Sequence, residues 1–344
     1  MGRHALPDNA SASLRISRLA LRAPPRHDAA KQTGENRIMH PHSIVADGLQ
    51  FPEGPIAMDD GSVIFVEIKA GKLTRLAPDG SMTTVATTGG GPNGAAIGPD
   101  GAIYVCNNGG FAWYEQGGML LPGNAAEDYT TGRIERVDIA TGKVERLYDK
   151  TDDGLALSGP NDIVFDKAGG FWFTDLGKHF AHHETKGGLF YGKPDGSGCV
   201  CAVYGPNLNG VGLSPDGTKV YAAVTAGRVI LEFDITGPGT VAPAPLAAVP
   251  GRFVTTWGTK TYLDSLAMEA NGNIAQATLI EEAGVTSVDP VTGAKEFFAF
   301  PDLLTTNIAF GGPDMMDAWV CLSTTGKMAK TRWPRPGLRL HFNG

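Results

Sequence analysis

The chain has 344 residues, a formal net charge of -7 and a pI near 5.6. That balance lacks the basic face that nucleic-acid binding needs, and no apolar run approaches the ~20 residues of a membrane-spanning helix. Neither a nucleic acid nor a membrane is therefore expected as a partner, while the 47 glycines and 23 prolines suit many short strands joined by turns.

Residues 1–40 differ in character from the rest of the chain. Arg3, Arg15, Arg18, Arg22, Arg26 and Arg37 fall here with few acids and no repeating unit. A transit or twin-arginine address lacks the long apolar segment that should accompany it. The segment is read as a disordered or non-native extension, with Met39 as the functional start. Residues 41–344 are expected to form one domain.

From Phe51 onward one short phrase recurs six times, each copy carrying an acid or amide at its third residue. The copies are Phe51-Pro52-Glu53-Gly54, Gly91-Pro92-Asn93-Gly94, Gly159-Pro160-Asn161-Asp162, Asn207-Leu208-Asn209-Gly210, Tyr262-Leu263-Asp264-Ser265 and Thr305-Thr306-Asn307-Ile308. Seven positions beyond each polar residue comes a turn, such as Asp60-Gly61, Asp100-Gly101 or Asn271-Gly272. Each unit then reads as a loop, the polar residue, a strand, a tight turn and further strands. The first unit, for example, continues through Val63–Val66 and Lys72–Leu76 to Pro78-Asp79-Gly80 and Thr83–Val85. The second carries an insertion from Gly109 to Thr131 with Phe111, Trp113 and Tyr114. Such an insertion is either a lid over a pocket or a satellite apolar cluster, and Trp257 ahead of the fifth unit has the same two readings.

Repeats of this length with four strands each predict an all-β chain, a six-bladed β-propeller. The ring must close, and Ser43-Ile44-Val45 is expected to join the last blade beside Leu338-Arg339-Leu340. In a propeller the first strand of every blade lines the central channel. The six polar residues would then stand at one height around its axis.

The chemistry of that ring is two carboxylates and four amides. Hard oxygen donors with two charges suit Ca²⁺, then Mg²⁺ or Mn²⁺. Zn²⁺ favours nitrogen and sulfur and is the least favoured choice for the one divalent ion expected. Any single Asn could instead cap its own turn, and Asn93 and Asn307 are the members most suited to that supporting role.

Other features compete less well. Cys106, Cys199, Cys201 and Cys321 show no zinc spacing and read as free thiols in a reducing, cytoplasmic setting. The run Lys178-His179-Phe180-Ala181-His182-His183-Glu184 is either a polar surface loop or a mouth loop in which His179 or His183 touches substrate. Asp162 could orient Asn161 or bond its own turn. No nucleophile elbow and no phosphate loop occurs.

The chain resembles the SMP-30/gluconolactonase/luciferin-regenerating-enzyme family. The matching phrases are Pro52-Glu53-Gly54-Pro55, Gly159-Pro160-Asn161-Asp162-Ile163-Val164 with Phe173-Thr174-Asp175, Asn209-Gly210-Val211-Gly212-Leu213-Ser214-Pro215-Asp216-Gly217, and Asn307-Ile308-Ala309-Phe310-Gly311-Gly312. The likeness implies a six-bladed propeller with one catalytic divalent metal in its channel. It places the metal ligands on Glu53, Asn161, Asn209 and Asp264, and the general base on Asp264. Two departures stand out. Sugar-lactone members carry Arg two positions before the third blade's Asn, where this chain has Gly159. The fifth phrase has Leu263-Asp264-Ser265 in place of Pro-Asp-Gly, so Ser265 joins Asn93, Asp162 and Asn307 around the site. The implied activity is metal-assisted opening of a small-molecule lactone by water. A propeller phosphotriesterase and a non-catalytic calcium- or ligand-binding propeller are the alternatives.

Overall fold

In the computed structural model, residues 38–244, 250–258 and 260–343 are described. Of the expected extension, 1–40, residues 1–37 lie outside the described residues, whereas Met39 bridges Ala299 and His40 N–H donates to the Ala299 carbonyl, so the last residues of that segment belong to the fold. Among the described residues there is no helix. Six antiparallel sheets follow one another along the chain, and each is a blade.

Blade one takes Pro52–Ala57, Val63–Glu67, Lys72–Leu76 and Met82–Thr87, paired in that order. Blades two, three and five repeat the plan, with inner strands Pro92–Ile97, Pro160–Phe165 and Thr261–Met268. Blade four starts at Val211–Leu213 and adds a short outer strand, Thr240–Val241. Blade six takes Thr305–Gly311, Asp317–Leu322 and Lys327–Arg332. Its fourth strand is Ser43–Ala46, from the start of the described chain. The expected closure therefore forms, but against a different partner. Ser43 pairs with Lys330 and Ile44 with Ala329, not with the segment Leu338–Leu340. That segment runs elsewhere: Leu338 N–H donates to the Met268 carbonyl, and Arg339 lies 3.7 Å from Asp59. Phe342 packs on Phe165, with ring centroids 5.8 Å apart. The tail thus touches the turn side of blades five, one and three. It floors a cavity of about 180 Å³ lined by inner-strand residues such as Ile163, Leu213, Met268 and Phe310.

The apolar core sits between neighbouring blades. Tyr104 of blade two meets Phe165 and Phe171 of blade three at 5.1 and 5.7 Å. Trp172 of blade three packs with Leu213 and Val220 of blade four. Strands buried on both faces explain the near-continuous apolar runs, such as Val63–Val66 and Phe171–Phe173.

The recurring glycine after the polar residue has a steric reason. A Cβ on Gly54 would sit 2.4 Å from the Asn93 carbonyl oxygen, and one on Gly94 2.5 Å from that of Asn161. A Cβ on Gly210 would meet the Leu266 N at 2.5 Å and the Asp264 carbonyl oxygen at 2.8 Å. In these three blades the inner strand meets its neighbour's backbone at this position and no side chain fits, whereas Asp162, Ser265 and Ile308 occupy it in the other three.

Candidate metal centre and its mouth

Each polar residue of the repeat sits where the ladder between first and second strands slips. The register shifts between Glu53 and Ile56, between Pro92 and Ala95, between Pro160 and Ile163, and between Leu263 and Leu266. In blade six the shift lies between Thr305 and Asn307. In blade four regular pairing starts only at Val211, just past Asn209. A bulge unpairs one or two residues and re-aims their side chains. Here it recurs in five of the six blades, and in blade four the polar residue lies just outside the regular ladder.

The side chains so placed meet one another. Asn307 Nδ2 donates to Glu53 Oε2 at 2.7 Å, and Glu53 Oε2 also accepts the Gly54 N–H at 2.8 Å. Thr306 adds a hydroxyl bond to the same carboxylate. Asn209 Nδ2 donates to Thr225 Oγ1 at 3.1 Å, and the same amide lies near enough to the Asp264 carboxylate to favour its charged form. Ser265 bonds Asp162, whose Oδ1 accepts the Ile163 N–H at 2.9 Å. Asn93 is buried between the Glu53 and Asn161 blades, and its carbonyl faces Gly54. Glu53, Asn161 and Asn209 are buried, whereas Asp264 keeps partial exposure.

Electrostatics set this cluster apart. Burial pushes the Glu53 carboxyl up, against the bonds from Thr306, Asn307 and Gly54. Asp264 is pushed well above the carboxylate range by burial first, then by the charge of Glu53 and that of Asp162. Asp162 rises to about 7 from burial and the Glu53 charge. Among the described residues, none of the main influences on these three acids is a side-chain cation. Like charges packed in a dry site call for a counter-ion.

Two further atoms point the same way. The amide oxygens Asn161 Oδ1 and Asn209 Oδ1 are buried and have no hydrogen-bond donor. Other buried polar atoms also lack a partner, among them Asn108 Nδ2, Trp257 Nε1 and Gln276 Oε1, but these two alone are side-chain oxygens of the ring residues themselves, and a cation would satisfy them. Two carboxylates and two donorless amide oxygens fit a hard divalent cation such as Ca²⁺ or Mg²⁺. Among the described residues, no group of three His, Cys, Asp or Glu side chains could hold a metal ion, so a site here depends on the amides.

The remaining predicted residues lie higher, at the mouth. His179 is exposed, with Nδ1 3.2 Å from Glu184. His183 is exposed and stacks on Phe180 at 4.5 Å. The insertion forms a hairpin, Phe111–Gln116 and Met119–Ala125. It bends over the mouth: Leu120 N–H donates to the Thr324 carbonyl in blade six, Ala125 N–H to that of His179 in blade three, and Trp113 packs on Phe51 of blade one. Trp257 is buried in the core between blades four and five. The four cysteines are free, and Cys201 alone is not fully buried.

Sequence reasoning passed over three supports. Asp175, at the end of a second strand, accepts the N–H groups of Ser158, Gly159 and Gly177, which fixes the approach to Asn161. Asn107 holds the Gly91 N–H at 2.9 Å in the equivalent place. The signal was a polar residue closing each of these second strands. Lys178 is the third. It is buried, donates to the carbonyl and Oδ1 of Asn108 at 2.8 and 3.1 Å, and lies 3.9 Å from the centre of the Phe111 ring. Burial pulls its pKa down to about 7.

Comparison with known proteins adds the family. Residues 51–324 match the SMP-30/Gluconolactonase/LRE-like region. A gluconolactonase of Zymomonas mobilis is 26% identical over 207 residues, covering 54% of this chain and 52% of that protein. Lactonase drp35 of Staphylococcus haemolyticus is 26% identical over 237 residues, covering 67% and 64%. The match thus spans about half to two-thirds of these curated relatives. A solved structure of a calcium-binding protein, regucalcin from Agrobacterium tumefaciens, superposes with a TM-score of 0.63 at 19% identity, covering 88% of this chain and 98% of that one. At that identity the likeness concerns the fold. The chain belongs to the SMP-30/gluconolactonase/LRE-like family.

Proposed function

We propose that this protein hydrolyses lactones with the help of one divalent cation, Ca²⁺ in the first instance. The observation that carries this is the pair of donorless amide oxygens, Asn161 Oδ1 and Asn209 Oδ1, beside the mutually repelling acids Glu53 and Asp264. Glu53, Asn161, Asn209 and Asp264 would hold the ion. When bound it supplies Lewis-acid polarisation of an ester carbonyl and stabilises the charge that develops on its oxygen.

The protein's own groups do the rest. Asp264 keeps partial exposure while the other three are buried, so it is the carboxylate that water can reach. It accepts a proton from the attacking water. The neighbouring Asn209 amide favours the charged form of this carboxylate. Asn307 and Thr306 do the same for Glu53. Ser265 of blade five lies near enough to Asp162 of blade three to favour its charged form. The amide donors add coordination without adding charge. The hairpin over the mouth limits access of bulk water. The relatives named gluconolactonase and lactonase support the ester chemistry, and a small-molecule lactone is the partner it calls for.

The test is a hydrolysis panel of lactones run beside paraoxon, with EDTA and with Ca²⁺, Mg²⁺ or Mn²⁺ restored. Lactone turnover lost in EDTA and recovered with metal supports the reading. Turnover of paraoxon alone would move it to phosphotriester chemistry, and turnover indifferent to EDTA would overturn the metal role.

A further inference from the structure

The bulge that carries Asp264 is held by one side chain. On the inner strand of blade five, Leu263 pairs with Thr278 and Leu266 with Gln276, so Asp264 and Ser265 are left outside the ladder. Gln276 reaches back to them from the second strand, Ile274–Ile280. Its Nε2 donates to the Asp264 carbonyl at 2.8 Å, to the Ser265 carbonyl at 3.2 Å and to the Ala277 carbonyl at 2.9 Å. The orientation of the amide follows from its partners, since three carbonyls can face only its NH₂ end.

Packing alone does not explain this residue. Gln276 is fully buried, and its Oε1 has no hydrogen-bond donor. The residue facing the position two beyond the ring residue is Val105 in blade two, Phe173 in blade three, Ala222 in blade four and Trp319 in blade six. All four are buried and apolar. A buried amide oxygen without a donor is a cost to folding, so an apolar residue would serve this core at least as well. What Gln276 adds is a pair of N–H donors at the bulge.

The Asp264 carbonyl is also where blade four meets blade five. It accepts the Gly210 N–H at 3.3 Å as well as the Gln276 amide. Gly210 directly follows Asn209. One carbonyl thus ties together the backbones of two of the residues assigned to the cation, and Gln276 holds that carbonyl in place. A ligand side chain reaches only where its backbone allows, and partners one layer out from a metal commonly set its affinity.

Resting on the hydrolase reading above, we propose that Gln276 is the positioning residue for Asp264. Its amide replaces the ladder bonds that the bulge breaks, and fixes the backbone from which the Asp264 carboxylate reaches the cation. Its influence on metal affinity and on turnover passes through Asp264, not through the substrate.

The experiment measures calcium affinity by calorimetric titration, the Tm of the calcium-free protein, and kcat on γ-butyrolactone. Gln276→Met fills the space with an apolar chain, as the sister blades do, so Tm should change little. The calcium dissociation constant should rise and kcat should fall, each by about 10–100-fold. Gln276→Glu keeps the length and shape with one donor at most. It should weaken calcium in the same direction, which separates loss of donors from a change in packing. The double variant Gln276→Met/Asp264→Asn should turn over no more slowly than Asp264→Asn alone, because both changes strike one group. Full calcium affinity in both Gln276 variants, or two losses of kcat that multiply, would overturn the positioning role and leave the hydrolase reading standing. If the natural protein binds calcium yet opens no lactone, the hydrolase reading falls and the titration still decides Gln276: weakened binding supports the role and unchanged binding overturns it. A natural protein that binds none of Ca²⁺, Mg²⁺ and Mn²⁺ would remove both.

Discussion

Asn307 Nδ2 donates to Glu53 Oε2 at 2.7 Å, a bond between residues 254 positions apart. It joins the inner strand of the last blade to that of the first. The same bond holds a buried carboxylate of the candidate metal centre. Closure of the ring and assembly of the site are therefore one event, and damage to one should be felt in the other.

Asn307→Ala tests that coupling. The buried Glu53 carboxylate loses a donor, which should cost about 1–3 kcal/mol of stability. Calcium affinity should fall in the same variant because Glu53 is no longer held. Denaturant unfolding and calorimetric titration read the two effects separately. Unchanged calcium affinity would show that Asn307 serves closure alone.

Asp264→Asn keeps an oxygen donor at nearly the same place and removes the proton acceptor. Metal binding should weaken but persist, while kcat falls by about 10²–10⁴-fold. The comparison to make is the calcium dissociation constant against kcat on one lactone. Near-normal turnover would remove Asp264 from the role of base.

Gly94 and Gly101 separate steric from conformational glycine. Gly94 is not in the left-handed region, but its Cβ would meet Asn161 and Asp162 at 2.5 and 2.6 Å. Gly101 has φ 75 with open space around it. Gly101→Ala should cost about 1–2 kcal/mol from backbone strain and leave calcium binding alone. Gly94→Ala should cost about 1–3 kcal/mol or more by forcing strands apart, and calcium binding should weaken with it.

Lys178 predicts a pH dependence. Burial lowers its folded pKa to about 7, below the ordinary lysine value of 10.5. Between those values the unfolded chain binds more protons than the folded one, so this group makes stability rise with pH. The charges and titratable groups near it are Asp175, which pulls the other way, and the Tyr129 phenol. Tm measured from pH 7 to pH 9 in Ca²⁺ should rise less in Lys178→Met than in the natural protein. Parallel curves would place the proton elsewhere.

Much of this fold was legible because one physical requirement is written six times. Each inner strand needs a polar residue at the bulge and a tight turn seven positions later, and both needs act locally. The strand Ser43–Ala46 was placed correctly in the last blade, yet its partner was missed. The sixth unit's strand over Gly326–Lys330 was legible, but it and Leu338–Leu340 are both short and partly apolar, so either could flank Ser43–Ala46; the ladder takes the former. At the site, the ring positions were visible from spacing. The supports Asp175, Asn107 and Lys178 were not, because their partners lie in loops whose path no periodicity records.

The central claim is that Glu53, Asn161, Asn209 and Asp264 share one cation. Anomalous diffraction from a crystal soaked in Mn²⁺ reads this directly. A single axial peak within bonding distance of all four side chains is the predicted result. No axial peak, or a metal held by other residues with these four turned apart, would contradict it.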